Sequence, residues 1–216
     1  MKKVMILFLG LALFGCSNAN HSAMDLASGS SLITESFTAA PQPPWEWIRE
    51  NPATHRTGPE GLSIQLEPGG LMGEGKDARN ILVRPLPPGA KTISVRVDAQ
   101  FQSQFEQAGL IVYTDDDTYI KFVLEMVDGK LYGVMVPEEA AQVLGIFKQS
   151  IEATPVELVL TLEDGKFTAL VGTEGLRQQV GEWLYPMDPR PRIGVFTQSG
   201  DPNAPRWATF SNFTIK

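Results

Sequence analysis

Short apolar runs separated by tight-turn signals constrain the fold of this chain most strongly. Residues Gln107–Met126 read QAGLIVYTDDDTYIKFVLEM, in which the apolar runs Ala108–Tyr113 and Tyr119–Met126 flank the polar stretch Thr114–Thr118. Both runs are rich in β-branched and aromatic residues, and each is about one strand long. Three consecutive aspartates suit a turn, because Asp side chains bond neighbouring backbone amides. The sequence therefore predicts a β-hairpin with an acidic tip flanked by tyrosines.

The same pattern continues along the chain. Asp128-Gly129 and Asp164-Gly165 each separate two apolar runs, which is a strong signal for a hairpin turn. Thr92–Phe101 alternates apolar and polar residues, as expected of a half-buried strand. Glu138–Gln149 is ambiguous, and we interpret it as a short helix or an irregular crossover. Further candidate strands are Leu62–Leu66, Asn80–Val83, Gln178–Leu184, Ile193–Thr197 and Trp207–Lys216.

About a dozen strand candidates without alternating helices predict an all-β fold, an antiparallel sandwich of the jelly-roll type with two sheets. A chain of 216 residues can form one such domain, and we place it at residues 35–216. The single cysteine excludes a disulfide framework. The core and the turns must therefore hold the fold together.

The N-terminal segment differs from the rest of the chain. Two lysines precede the apolar run Val4–Phe14, and Gly15–Cys16 closes the segment, a layout typical of a secretory signal. The closing residues Leu-Phe-Gly-Cys resemble the bacterial lipobox, in which the cysteine is lipidated, although Phe is bulkier than the usual residue. We expect a lipoprotein signal peptide at 1–15 and a lipidated Cys16 with a flexible tether at 16–34. The alternative is an ordinary cleaved signal with an incidental cysteine.

These features predict an exported bacterial lipoprotein, anchored to the cell membrane or the outer membrane through Cys16. Without Lys2 and Lys3 the chain carries 16 basic and 25 acidic residues, a net charge of −9. This charge argues against nucleic acid as a partner and permits neutral sugars and cations.

Five segments, in this order and spacing, resemble a known family. They resemble the concanavalin A-like β-sandwich domain at the C-terminus of glycoside hydrolase family 43 β-xylosidases, and the related bacterial DUF1349 domains. The resemblance covers residues 35–216, and it implies a concanavalin A-like jelly roll associated with carbohydrate. The segments are Trp45–Pro52, Glu60–Leu71, Ala78–Pro87, Gln107–Phe122 and Trp207–Ile215.

The resemblance also implies acidic residues near the two ends of the domain, which in several relatives accompany a structural calcium. Here Ser36 and Ser211 stand where Asp is usual, which leaves Glu35, Asn212 and backbone carbonyls as oxygen donors. Calcium takes about six to eight oxygen ligands, so we expect this site to be weak or absent. No other cofactor is expected.

The sequence offers no clear catalyst. Glycoside hydrolysis needs two carboxylates at a controlled separation, and the chain has no Glu-x-Asp-x-x-Glu run. The chain has no Gly-x-Ser-x-Gly motif whose serine His21 or His55 could activate as a base. A glycosidase would need two of five carboxylates to converge, namely Glu50, Glu106, Asp115, Asp117 and Glu125.

Carbohydrate binding has better material, because aromatic rings and planar polar groups are present together. Tyr119 and Lys121 share one strand face, with Tyr113 across the turn, and this is our preferred groove wall. Two alternatives stay open: the aromatic residues could pack in the core, and Arg49 and Glu50 could form a buried ion pair. The candidates are Trp45, Trp47, Arg49, Glu50, Tyr113, Asp115, Asp117, Tyr119 and Lys121, with Trp183 and Trp207 later in the chain.

Three functional hypotheses follow. The first is a non-catalytic, lectin-like domain of a membrane-anchored lipoprotein that recognises polysaccharide. The second is a glycosidase related to the family 43 enzymes and acting on oligosaccharides. The third is a cell-envelope scaffold whose sandwich surface binds a protein partner.

Overall fold

The computed structural model describes residues 32–72 and 75–216, and the regular secondary structure in these ranges consists of strands. Sixteen strands occur in the described residues. They are β1 Ile33–Glu35, β2 Glu46–Ile48, β3 His55–Gly58, β4 Gly61–Gln65, β5 Ile81–Pro85, β6 Thr92–Ala99, β7 Gln107–Asp115, β8 Thr118–Val127, β9 Lys130–Glu139, β10 Gln142–Val143, β11 Phe147–Ser150, β12 Val156–Glu163, β13 Lys166–Gly172, β14 Gln178–Leu184, β15 Arg192–Gln198 and β16 Trp207–Ile215.

The strands form two antiparallel sheets. The sheet that we call the back sheet has the order β14-β13-β12-β6-β16-β4-β3, and β1 also pairs with β16. The front sheet has the order β10-β9-β8-β7-β15-β5-β2, and β11 also pairs with β9. The predicted all-β sandwich of two antiparallel sheets is confirmed.

The main hydrophobic core lies between the two sheets. Because successive strand residues point to opposite faces, the alternation in β6 buries Ile93, Val95 and Val97, whereas Arg96 and Asp98 are exposed. Even-numbered residues of β8 join the same core, as do apolar residues of β12, β15 and β16.

A second hydrophobic cluster covers part of the outer face of the front sheet. It includes the odd-numbered residues Tyr119 and Val123 of β8, which point away from the main core. Residues 66–72 and 75–80, which we call the covering segment, lie over this face and bury Leu71 and Ala78 against it. Only part of the outer face is therefore left accessible.

The predicted hairpins form with the predicted turns. Asp128 and Asp164 adopt positive φ angles of 51° and 47°, and the glycines after them have φ angles of 71° and 80°. Two consecutive positive φ angles are typical of the type I′ turn that Asp-Gly favours. At the third hairpin, Asp116 and Asp117 form the turn between β7 and β8.

The helical interpretation of Glu138–Gln149 is wrong. β9 continues to Glu139 because it pairs with β8 as far as Tyr119↔Glu138, and this sheet pairing overrides local helix propensity. Ala140 and Ala141 then turn the chain with φ angles of 49° and 62°, and β10 and β11 both pair back onto β9.

A bulge interrupts the alternation of side chains along β16. A register shift between Ser211 and Thr214 marks a β-bulge, and Asn212 there has a φ of 51°. The extra residue moves Phe213 to the same face as Ala208 and Phe210, so all three are buried in the main core.

Candidate functional site

The acidic hairpin tip is held by a cluster of ion pairs. Arg49 donates two hydrogen bonds to Asp116, at 2.7 and 3.0 Å, and the Tyr113 hydroxyl donates to the same carboxylate at 2.6 Å. Burial acts to raise the pKa of Asp116, but hydrogen bonds from Arg49 and Tyr113 outweigh it, so the pKa is lowered. Asp117 pairs with Lys76 of the covering segment. This ion pair therefore joins the hairpin tip to the covering segment.

Asp115 has a local role at this tip. Its Oδ1 accepts a hydrogen bond of 2.8 Å from the backbone N–H of Asp117, which is the expected Asx-type support of a turn. Asp117 in turn pairs with Lys76. Both aspartates that the sequence predicts as ligand-binding residues, Asp115 and Asp117, therefore make contacts within the protein.

The structure places Trp45 in the core. Its ring is 8% exposed and lies 5.4 Å from Phe37 and 5.1 Å from Phe213, measured between ring centroids. A side chain in this position offers no open ring face to a ligand.

The other N-terminal candidates form separate contacts. Trp47 stacks on His55 with 4.2 Å between centroids, and His55 Nε2 lies 2.9 Å from Glu50 Oε1. Arg49 and Glu50 do not pair with each other, because Arg49 binds Asp116. The later candidates are also apart, since Trp183 lies near Phe147 and Trp207 beneath the guanidinium of Arg56.

The preferred groove wall does share one face. Tyr113, Tyr119 and Lys121 all lie on the outer face of the front sheet, with Tyr113 and Tyr119 directly opposite in register. Tyr119 is fully buried, however, and its hydroxyl donates to Glu138 at 2.6 Å. Burial, reinforced by that hydrogen bond, raises the pKa of Tyr119. Lys121 alone of the three lines an open cavity.

This cavity lies on the outer face of the front sheet, beside the covering segment. Its volume is about 460 Å³. Val134 and Val136 of β9 form an apolar wall, and Gln107, Lys121 and Glu125 add polar groups from β7 and β8. The rim carries four exposed side chains, namely Met72, Phe105, Ile146 and Lys148.

A row of polar side chains runs across the cavity on three adjacent strands. Gln198, Gln107 and Glu125 are direct neighbours in register on β15, β7 and β8. Gln107 Oε1 accepts hydrogen bonds from Lys121 Nζ at 3.0 Å and from Gln198 Nε2 at 2.9 Å. All four side chains are buried, and Gln198 Oε1 accepts no hydrogen bond from the described residues.

Burial controls the charges in this row. It lowers the pKa of Lys121, although the carboxylates of Glu125 and Glu138 act in the opposite direction. It raises the pKa of Glu125, against the effects of Lys121 and Gln107. Burial thus disfavours the charged form of both groups.

Sequence reasoning missed most of this row. It identified Lys121, and considered Glu125 only as half of a catalytic pair. Gln107 and Gln198 carry no local motif, because what brings them together is the pairing of β7 with β15. The available signal was the alternation within each strand, because it assigns each of these residues to the outer face of the front sheet.

The five carboxylates considered for catalysis do not converge on the cavity. Glu125 alone of them lines it. Glu106 is fully buried and binds Arg206, with Nε 2.7 Å from Oε1. Glu50, Asp115 and Asp117 make the contacts described above.

The calcium and lipid expectations stay predictions. Glu35 and Asn212 lie on paired strands, and Glu35 Oε1 accepts a hydrogen bond of 3.0 Å from the backbone N–H of Phe37. Residues 32–72 and 75–216 contain no group of three or more His, Cys, Asp or Glu side chains placed to hold a metal. Cys16, the signal peptide and most of the tether lie outside the described residues. Within those described, no helix has the length and hydrophobicity to cross a membrane.

A family model described as a protein of unknown function, DUF1349, matches residues 71–216. The chain belongs to the DUF1349 family. The resemblance drawn from the sequence is thereby confirmed for most of the domain. No curated protein sequence is significantly similar to this DUF1349 chain.

Solved structures similar to this DUF1349 chain include parts of larger proteins. The family 43 protein BlXynB of Bacillus licheniformis matches with a TM-score of 0.73 and 19% identity, over 83% of this chain and 38% of that one. GH43B of a Bacteroides ovatus xyloglucan PUL matches with a TM-score of 0.65 and 17% identity, over 83% and 39%. The chain thus spans well under half the length of these two proteins.

A third match has a similar length. A functionally unknown protein of Saccharomyces cerevisiae matches with a TM-score of 0.65 and 18% identity, over 80% of this DUF1349 chain and 95% of that one. At such identities the likeness shows the fold, so function must be argued from the site.

Proposed function

We propose that this domain is a non-catalytic, lectin-like module that binds carbohydrate in the cavity on the outer face of the front sheet. The observation that carries the proposal is the buried polar row with unused hydrogen-bonding capacity. An ammonium group has three N–H donors, and Lys121 uses one of them on Gln107 among the described residues. Gln198 Oε1 is a buried acceptor without a donor.

Sugar hydroxyls match this arrangement because each can donate and accept a hydrogen bond. Two neighbouring hydroxyls could accept from Lys121 and donate to Glu125, or to Gln198 if its amide turns toward the cavity. A ligand that satisfies these groups relieves the penalty of a buried polar atom without a partner. The chemistry therefore favours a polyhydroxylated ligand over an apolar one.

Cavity size and lining support the same ligand class. A volume of about 460 Å³ lies within the range of about 300–1,000 Å³ that is usual for small-molecule sites. The valine wall of β9 suits the C–H face of a sugar ring, while the polar row suits its hydroxyl edge. Structures similar to this domain occur within proteins named for xylan and xyloglucan, which makes oligosaccharides of those two polymers the first ligands to test.

The test is binding of the full chain to a glycan array, followed by titration calorimetry with any xylan or xyloglucan oligosaccharide that is retained. Lys121→Met removes the ammonium and keeps an unbranched side chain of similar reach. We expect it to weaken binding by about 10- to 100-fold, since a hydrogen bond to a charged group is worth about 1.5–3 kcal/mol.

Lys166→Met is the matched control, because Lys166 lies on β13 of the back sheet and is 46% exposed. We expect this variant to bind as the wild type does. A wild-type chain retained by no glycan, or a Lys121→Met variant with unchanged affinity, would overturn the proposal.

A further inference from the structure

Phe105 is an unusual residue at the mouth of the cavity. Its φ is 65°, in the left-handed region that bulky side chains rarely adopt. Its side chain is 52% exposed and lines the rim. Strained backbone of this kind persists when the surroundings enforce it, and it clusters at ligand-binding sites.

The loop around Phe105 is braced on both sides. The backbone N–H of Phe105 donates to the carbonyl of Met126 at 2.8 Å. Glu106 Oε2 accepts hydrogen bonds from the backbone N–H groups of Gln102 and Ser103, at 2.7 and 3.0 Å. Its Oε1 binds Arg206. These contacts fix the backbone of the loop that presents the ring at the cavity mouth.

Core packing does not explain why the loop holds Phe105 in this strained conformation. Phe105 belongs to neither hydrophobic cluster, and it is the only aromatic residue among the large hydrophobic side chains exposed in the described ranges. Met72 and Ile146, exposed by 42% and 64%, line the same cavity. Exposed apolar side chains therefore surround the polar row at the mouth of the cavity.

We propose that Phe105 is the platform on which a sugar ring stacks, while the polar row binds the hydroxyls of that ring. This inference rests on the proposed function and names its ligand class. A pyranose ring presents a face of C–H bonds to an aromatic ring, and an axial hydroxyl occupies one of its two faces while leaving the other free. The site should therefore select pyranose rings, which have such a face, over acyclic polyols, which have none.

Phe105→Gly gives a test with two readouts. Glycine adopts positive φ without strain, so we expect an unchanged or higher melting temperature together with at least a tenfold loss of affinity for the retained oligosaccharide. Phe105→Asn, which also tolerates this conformation, should lose affinity in the same way. Phe105→Trp should keep the affinity, because it keeps an aromatic face.

Ala141→Gly is the matched control. Ala141 is exposed with a φ of 62° and does not line the cavity, so the variant should relieve strain and leave affinity unchanged. If Phe105→Gly binds as the wild type does while Lys121→Met does not, the platform is refuted and the proposed function stands. Equal affinity for an acyclic polyol would refute the ligand class. A wild-type chain that binds no glycan would overturn both.

Discussion

Replacing Arg206 with methionine tests the brace that fixes the loop at the mouth of the cavity. Glu106 is fully buried, and the Arg206 side chain is 13% exposed. Removing one partner of a buried ion pair costs about 3–5 kcal/mol, because it leaves an uncompensated charge. Glu106 keeps its two backbone hydrogen bonds, so we expect the lower end, about 3 kcal/mol. At about 2–4 °C per kcal/mol for a domain of this size, the melting temperature should fall by about 6–12 °C.

The assay is urea unfolding at pH 7, with calorimetry for the melting temperature. The double variant with Glu106→Gln and Arg206→Met should be less destabilised than Arg206→Met alone, because it leaves no buried charge. Lys166→Met removes an exposed pair, with 46% and 51% of its two side chains exposed, and should change stability by less than about 1 kcal/mol. A loss below about 1 kcal/mol in Arg206→Met would show that Glu106 reaches water or another cation, and would refute the brace.

Two further predictions concern the hairpin tip and the predicted metal site. Asp116→Asn should cost about 1 kcal/mol at pH 7, because the ion pair with Arg49 is partly exposed. The folded-state pKa of Asp116 is lowered, so the stability it contributes is present above the unfolded pKa of about 3.9 and is lost as the pH falls through the folded value. In urea unfolding, the difference in free energy of unfolding between the wild type and Asp116→Asn should therefore shrink below about pH 4. A difference that stays constant with pH would contradict this. For calcium, a weak site at Glu35 and Asn212 predicts a small rise in melting temperature with added calcium that a chelator reverses; no change in either direction would exclude it.

The strand pattern could be predicted because the signals for it are local. Asp-Gly turns and alternation in β6 depend on residues close in sequence, and the predicted segment Gln178–Leu184 coincides with β14. The departures have non-local causes. The bulge at Asn212 changes which side of β16 faces the core, and the pairing of β9 with β8 removes the helix that was one of two interpretations of Glu138–Gln149. Neither can be seen without knowing which strands are neighbours.

The same reasoning explains what was missed at the site. Tyr113, Tyr119 and Lys121 were placed on one face because they lie on one hairpin. The place of Gln198 in the row depends on the sheet order, since Gln198 on β15 is 91 residues from Gln107 on β7 and yet directly opposite it. Burial of Tyr119 depends on the covering segment, whose position over the front sheet has no local sequence signal.

The polar row weakens the fold that contains it. Its neighbours on the outer face include Val123, Val134 and Phe196, so apolar residues in the row would extend the second cluster without a break. A buried acceptor without a donor, such as Gln198 Oε1, costs about 1–3 kcal/mol. Replacing both Lys121 and Glu125 with apolar residues of similar volume would remove the cost of burying two ionisable groups. Stability alone therefore favours a different sequence here, and the missing hydrogen bonds are the ones that the proposed ligand would supply.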